Sequence, residues 1–366
     1  MKRILSYLPI VVFGLIVWGC LEEIDLRVEP EFQDNVVIQG SLVLGNPSRV
    51  NVRVTKLFDF TSNGREALSV RSVILFDEDG NQVELEVAGA VGDYAVEIPV
   101  NDPRMSIGAD KRYYIEVSTF DGRTFRSEEE RIPNVPEATE LQARLTEVEQ
   151  VGADGELRQV EYVEFLLSTP LDNGENDGTF LRWVAERTYR STDEGMSDAY
   201  PEPKTCYVTE SSVVSNLPVG STEEFSGSIT AFPVYQEPIN HRFAEGYYVS
   251  IFQQGLTRGA YGYWSGIASL INREGTIFEP PVGQVPSNIS NIEDPDDRAF
   301  GYFYATQQDT IRMYISPDFV GNPEKYCPVE FGMVNQNFVY CEAVPICCDC
   351  LSVPRSQLER PSFWVE

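Results

Sequence analysis

The chain has 366 residues, 42% of them hydrophobic, and its 28 basic and 57 acidic residues give a formal net charge of −29. That length and apolar share support a sizeable core spread over about two domains. A surface this acidic excludes binding to a phosphate backbone, which works through Lys/Arg neutralisation, and opposes docking on anionic lipid headgroups; no nucleic acid partner is expected.

Lys2 and Arg3 precede an apolar run from Ile4 to Val17, followed by Trp18-Gly19-Cys20. A basic start, a short apolar core and a small residue before the cut describe a secretory signal over residues 1–19. The run is shorter than the about 20 apolar residues of a transmembrane helix. Cys20, directly after glycine, reads as the lipidation site of a lipobox, although Trp18 is bulky for its position. The competing reading is an ordinary signal with an incidental cysteine. Acyl chains on Cys20 would hold a water-soluble body to a membrane, because each buried methylene adds about 0.8 kcal/mol. Residues 20–34 read as an acidic tether.

From Val36 the pattern becomes strand-like. Val50, Val52 and Val54 alternate with Asn51, Arg53 and Thr55, the period-two signature of a half-buried strand. Further strands are expected at 70–76, 83–87, 94–99, 113–119 and 123–127, with hairpin turns at Asp79-Gly80 and Asp121-Gly122. About seven short strands predict an immunoglobulin-like or transthyretin-like β-sandwich over residues 35–132. Pro133 and Pro136 cannot donate ladder hydrogen bonds, so a boundary falls there.

Residues 133–366 read as a larger β-rich domain with a Cys-rich C-terminal segment. Strands are expected at 141–148, 160–168, 180–189, 206–214, 247–253, 299–306 and 311–315. One amphipathic helix is predicted over 257–273, with Thr257 as its cap and Gly275 as its stop. Its stripe of Tyr261, Trp264, Ile267, Ala268 and Ile271 reads as core packing. Residues 274–297 form a long Pro/Asn-rich loop and the best candidate for a contact surface, since long loops are often functional. The alternating Phe300, Tyr302 and Tyr304, and the pair Tyr247-Tyr248, read first as core; aromatic faces can also stack on sugars or fill a partner's pockets.

Cysteines and carboxylates carry the remaining signals. Besides Cys20 there are six cysteines: Cys206, Cys327, Cys341, Cys347, Cys348 and Cys350. In an exported chain they suggest up to three disulfides with 15 possible pairings. The neighbours Cys347 and Cys348 are expected to pair with different partners. A zinc or iron–sulfur cluster on Cys341, Cys347, Cys348 and Cys350 is the rival reading. His241 is the only histidine, which excludes two-histidine metal sites; without a Gly-x-Ser-x-Gly elbow it reads as a loop residue. No phosphate-binding glycine loop occurs. The acidic loops 172–178 and 293–297 have oxygen ligands but lack the EF-hand register, and read as solvated turns. Asp309-Thr310-Ile311 matches only a weak three-residue glycosylation pattern. No catalytic residue, cofactor or metal is nominated.

Several ordered pieces carry a resemblance: Cys20, Val36–Gly40, Gly259–Trp264, Asn272–Phe278, Pro286–Ile289, Gly301–Ala305, Cys347–Cys350 and Pro361–Trp364. With these the chain resembles a family of outer-membrane lipoproteins from Bacteroidota known only as domain of unknown function 4249. The doubled Cys347-Cys348 and Trp18 depart from it. The resemblance implies a lipid-anchored outer-membrane protein, commonly encoded beside a TonB-dependent receptor, with a role in capturing or importing a nutrient. In that phylum Glu22 and Glu23 also resemble a surface-export signal, which implies the outer face of the membrane. The leading expectation is a non-catalytic accessory of such a receptor with an unknown ligand. A surface adhesin or spacer, and a carboxylate-based hydrolase, are the alternatives.

Overall fold

The structure, a computed structural model, describes residues 35–57, 66–152, 154–194, 202–211, 217–271, 285–327 and 345–365. Cys20, Glu22, Glu23 and Cys341 lie outside the described residues, as does the expected helix stop at Gly275. The described chain is mainly β, as expected, and builds two sandwiches.

The first half supplies β1 (Val36–Val43), β2 (Ser48–Lys56), β3 (Ser72–Asp77), β4 (Gln82–Glu84), β5 (Glu86–Val87), β6 (Asp93–Ile98), β7 (Arg112–Ser118), β8 (Thr124–Ser127) and β9 (Glu130–Arg131). The second half supplies β10 (Glu140–Val151), β11 (Leu157–Pro170), β12 (Phe180–Thr192), β13 (Thr205–Ser211), β14 (Val219–Ser221), β15 (Ser228–Pro238), β16 (Tyr247–Gly255), α1 (Arg258–Ile271), β17 (Ile289–Asn291), β18 (Phe300–Thr306), β19 (Gln308–Ile315), a helical turn α2 (Pro345–Cys348) and β20 (Ser356–Gln357).

Alternation decides the faces. In β2, Ser48, Val50, Val52 and Val54 turn inward while Arg49, Asn51 and Arg53 face out, because successive side chains of a strand point to opposite faces. The first sandwich packs a sheet of order β18-β1-β2-β6-β5 on one of order β17-β8-β7-β3-β4, with β9 paired to β7. Ile38, Val52, Leu75, Ile115, Val117 and Phe125 fill the space between them. Both predicted hairpins form, with Gly80 and Gly122 at positive φ.

The expected 35–132 boundary does not contain this core. β17 and β18 return from the second half, and Ile289, Ala299, Phe303 and Ala305 are buried in it. β18 pairs in parallel with β1, Val37 against Phe300 through Val43 against Thr306. The pairing depends on Gly301, at φ 99°, where a Cβ would stand 2.0 Å from the Ile38 carbonyl oxygen. Half of the expected 274–297 loop is therefore framework: Asn288 brackets Phe303, donating to its carbonyl at 2.9 Å and accepting from its N–H at 3.0 Å. Residues 272–284 lie outside the described residues.

The second sandwich packs β10-β11-β15 on β19-β16-β12-β13-β20, with β14 paired to β12. Val163, Phe165, Leu181, Trp183, Val249 and Ile251 are among its core. β15 escapes the sequence pattern because it holds Pro233 and Pro238. It is an edge strand with register shifts against β11, where proline is tolerated. As expected, the stretch Ile132–Pro136 forms no ladder strand; it is pinned instead: Gln253 donates to the Pro136 carbonyl at 2.6 Å, and Glu175 accepts from the Asn134 N–H at 2.8 Å.

The C-terminal segment is braced by disulfides. Cys206 on β13 pairs with Cys350, and Cys327 pairs with Cys347. Cys348 is also disulfide-bonded, so Cys347 and Cys348 do not bridge each other. Lys204 and Asp193 hold the same region, Asp193 accepting from the Cys350 N–H at 3.0 Å.

Candidate functional site

The two sandwiches meet at α1. Thr257 caps the helix as expected, its hydroxyl accepting from the Ala260 N–H at 3.2 Å. The helix buries Ala260, Tyr261, Tyr263 and Ala268, the first three against Phe180 of β12 and Tyr302 and Tyr304 of β18. Ile271, expected in the buried stripe, is exposed, and Tyr263 takes part instead. Gly259 allows the close approach: a Cβ there would stand 2.6 Å from the Tyr302 hydroxyl.

Between α1 and the outer face of β1 and β2 lies a trough of about 410 Å³. Register builds its floor. Tyr302 stands beside Gln39 and Tyr304 beside Ser41 across the parallel pair; Gln39 then faces Arg53, and Ser41 faces Asn51, across β1–β2. Arg53 and Asp93 form a bidentate pair on the next register position, with nitrogen–oxygen distances of 2.5 and 2.9 Å. The floor thus offers amides, a hydroxyl and a neutralised ion pair.

Aromatic rings make the wall. Tyr263 and Tyr302 lie 5.2 Å apart between centroids, tilted by 32°, and Trp264 meets Tyr304 edge-on at 5.9 Å. Arg182 of β12 lays its guanidinium 3.5 Å from the Trp264 ring centroid, a cation–π contact, and its Nη1 donates to the Tyr304 hydroxyl at 3.0 Å. Arg182 has no carboxylate partner among the described residues. Its Nε and the Trp264 Nε1 are both buried donors without an acceptor. Buried polar groups are ordinarily hydrogen-bonded, so two orphans in one stack mark this wall.

Behind the wall sits Glu130, only 5% exposed. Its Oε1 accepts from the Tyr302 hydroxyl at 2.7 Å and its Oε2 from the Thr257 hydroxyl at 2.8 Å. One carboxyl therefore ties β9, β18 and the helix start together. Burial pushes it up from 4.5 to about 7, against the pull of the two hydroxyls. Burial and the Glu130 charge raise Tyr302 in turn.

The other sequence candidates are dispersed. His241 lies in a short 3₁₀ turn, its ring 4.4 Å from that of Tyr326, and burial holds it below the usual imidazole value. The acidic loop 172–178 is not simply solvated: Glu175 and Asp177 pair with Arg131. Asp297 accepts from the Asn291 side chain at 2.8 Å. No group of three or more His, Cys, Asp or Glu is arranged to hold a metal among the described residues. Asp309 accepts from the Ala138 N–H at 2.8 Å, and Thr310 lies in β19. A second depression of about 580 Å³ runs along β4 and β5, but no aromatic side chain lines it.

Sequence reasoning flagged Trp264, Tyr302 and Tyr304 but missed Arg182, Gln39, Asn51 and Glu130. The available signal was Arg182 itself, a charge inside the apolar run Phe180–Val184 on the face opposite Leu181 and Trp183.

Fold and trough together define a two-sandwich β protein with an aromatic-walled cleft at its junction. The family described as Domain of unknown function (DUF4249) matches residues 21–312, and the chain belongs to that family. The match spans the first sandwich core and most of the second, but stops before Ile315, Val320 and Cys350 of that core, and so before Cys347–Cys350 and Pro361–Trp364, which the sequence resemblance had included. None of the curated proteins matches the chain.

Proposed function

We propose that this protein is a non-catalytic binding lipoprotein of the bacterial outer membrane, anchored through Cys20 and facing the cell exterior, which captures a small ligand in the junction trough for a TonB-dependent receptor. The observation that carries the binding role is the wall of four aromatic rings with an uncompensated guanidinium and two buried donors lacking acceptors. Ligand sites are concave, largely apolar and furnished with a few convergent polar groups, and the trough fits that description.

Binding is favoured over acid–base chemistry by where the nearby acids stand. Asp93 is held by Arg53, and Glu130 lies behind Tyr302 with both oxygens engaged. The anchor rests on the Gly19-Cys20 motif and the acidic tether that follows. Tethering raises the effective concentration of the body near a membrane partner.

The test is native-level extraction in gentle detergent with affinity recovery, together with palmitate labelling in cells. A TonB-dependent barrel is expected to travel with the protein, and Cys20→Ala should abolish the label and release the body. Recovery of the protein alone under several detergents contradicts the receptor role; an unlabelled wild type contradicts the anchor.

A further inference from the structure

We infer that the trough takes an acidic carbohydrate, a pyranose ring stacked on the aromatic wall with its anionic substituent on Arg182. The inference rests on the trough being the binding site, and it names the class of ligand.

Three features of one surface carry it. The first is the wall. Tyr263, Trp264, Tyr302 and Tyr304 present rings in non-parallel orientations. A sugar ring has an apolar C–H face that packs on an aromatic ring while its edge stays polar, and amphipathic aromatics suit a ligand of that mixed kind.

The second is the floor. Gln39, Ser41 and Asn51 carry both donors and acceptors on the solvent-side face of β1 and β2. Amides and hydroxyls of this sort match the paired donor and acceptor character of vicinal sugar hydroxyls. Gln39 already meets Tyr263, but a purely apolar ligand would cover Ser41 and Asn51 without offering them partners, which is penalised.

The third is Arg182. In a chain with twice as many acids as bases, this half-buried guanidinium has no carboxylate partner among the described residues. One Nη donates to Tyr304, and Nε has no acceptor. A planar guanidinium binds carboxylates and similar oxyanions through parallel N–H bonds. The trough is therefore a locally cationic spot on an acidic molecule. The net charge of −29 opposes the approach of any anion, but at physiological salt that field is screened beyond about 8 Å, and selection falls to the short-range contact. The volume of about 410 Å³ lies toward the small end of the roughly 300–1,000 Å³ range of small-molecule sites, which suits a short saccharide.

The experiment is isothermal titration of the full chain in detergent with tri-galacturonate and with the neutral galactose trisaccharide, on wild type, Arg182→Gln and Trp264→Ala. Wild type should bind the acidic sugar at least about tenfold more tightly than the neutral one, the scale of one charge-assisted hydrogen bond. Arg182→Gln should bring the two affinities within about twofold, and Trp264→Ala should weaken both. Should Arg182→Gln fail to fold, Arg182→Lys keeps the charge without the fork and should lower only the acidic affinity. Equal affinities for the two sugars, both lost in Trp264→Ala, overturn the acidic class and leave the trough as a binding site. Acidic binding unchanged by Trp264→Ala places the ligand elsewhere and overturns the inference. Binding of neither sugar also overturns it, while the receptor pull-down reads the accessory role separately.

Discussion

Glu130→Gln removes the one buried carboxyl that joins the two sandwiches at the trough while keeping its shape. The glutamine carbonyl can still accept from Tyr302 and its amide can donate to Thr257, so both contacts of 2.7 and 2.8 Å have replacements. The carboxyl holds its proton up to about pH 7 when folded, against an ordinary value of 4.5. Because the raised value belongs to the folded state, the unfolded chain ionises first. Stability from this group is complete below about pH 4.5, falls as pH rises toward 7, and is flat above. A shift of this size corresponds to about 3 kcal/mol in all, of which about 2–3 kcal/mol falls between pH 5 and 8. The many other acids also respond to pH, so the decisive quantity is the difference between variant and wild type in urea unfolding at the two pH values. Relative to wild type, Glu130→Gln should gain about 2–3 kcal/mol between pH 5 and pH 8. A difference that does not change with pH would refute the buried, high-pKa carboxyl.

Gly301→Ala places a Cβ 2.0 Å from the Ile38 carbonyl at φ 99°, so it should lower stability by roughly 2–4 kcal/mol, read as a fall in urea midpoint. Gly259→Ala meets the Tyr302 hydroxyl at 2.6 Å and should displace it from Glu130; with that hydrogen bond gone, burial raises the carboxyl further, so stability should fall more steeply with pH than in wild type, the opposite of Glu130→Gln. Replacing Cys206 and Cys350 together by alanine opens a bridge spanning 144 residues; a loss of about 3–5 kcal/mol is expected, and an unchanged urea midpoint would contradict a structural role for the bridge.

Local pattern made the strands of the first sandwich legible. Val50, Val52 and Val54 alternate in sequence and point inward together in space, and Asp-Gly pairs mark turns that need positive φ. The helix was legible from Thr257 and its spaced aromatics. The closing of the first sandwich by β18 was not, because parallel pairing between Val37 and Phe300 leaves no mark in either segment taken alone. β15 was hidden by its prolines, which an edge strand accommodates. The trough was half visible. Tyr302 and Tyr304 showed as an alternating pair, but their partners Gln39, Asn51 and Arg182 come from three other strands, brought onto one surface by the β18–β1–β2 register and by the packing of Arg182 on Trp264 and Tyr304.

Hydrogen exchange on the full chain, with and without tri-galacturonate, tests the central claim most directly, because it locates the ligand. Slowed exchange concentrated in residues 36–56, 258–264 and 300–306 is the result expected for a ligand seated in the trough. Protection confined to other segments, or none under conditions where titration shows binding, would contradict it.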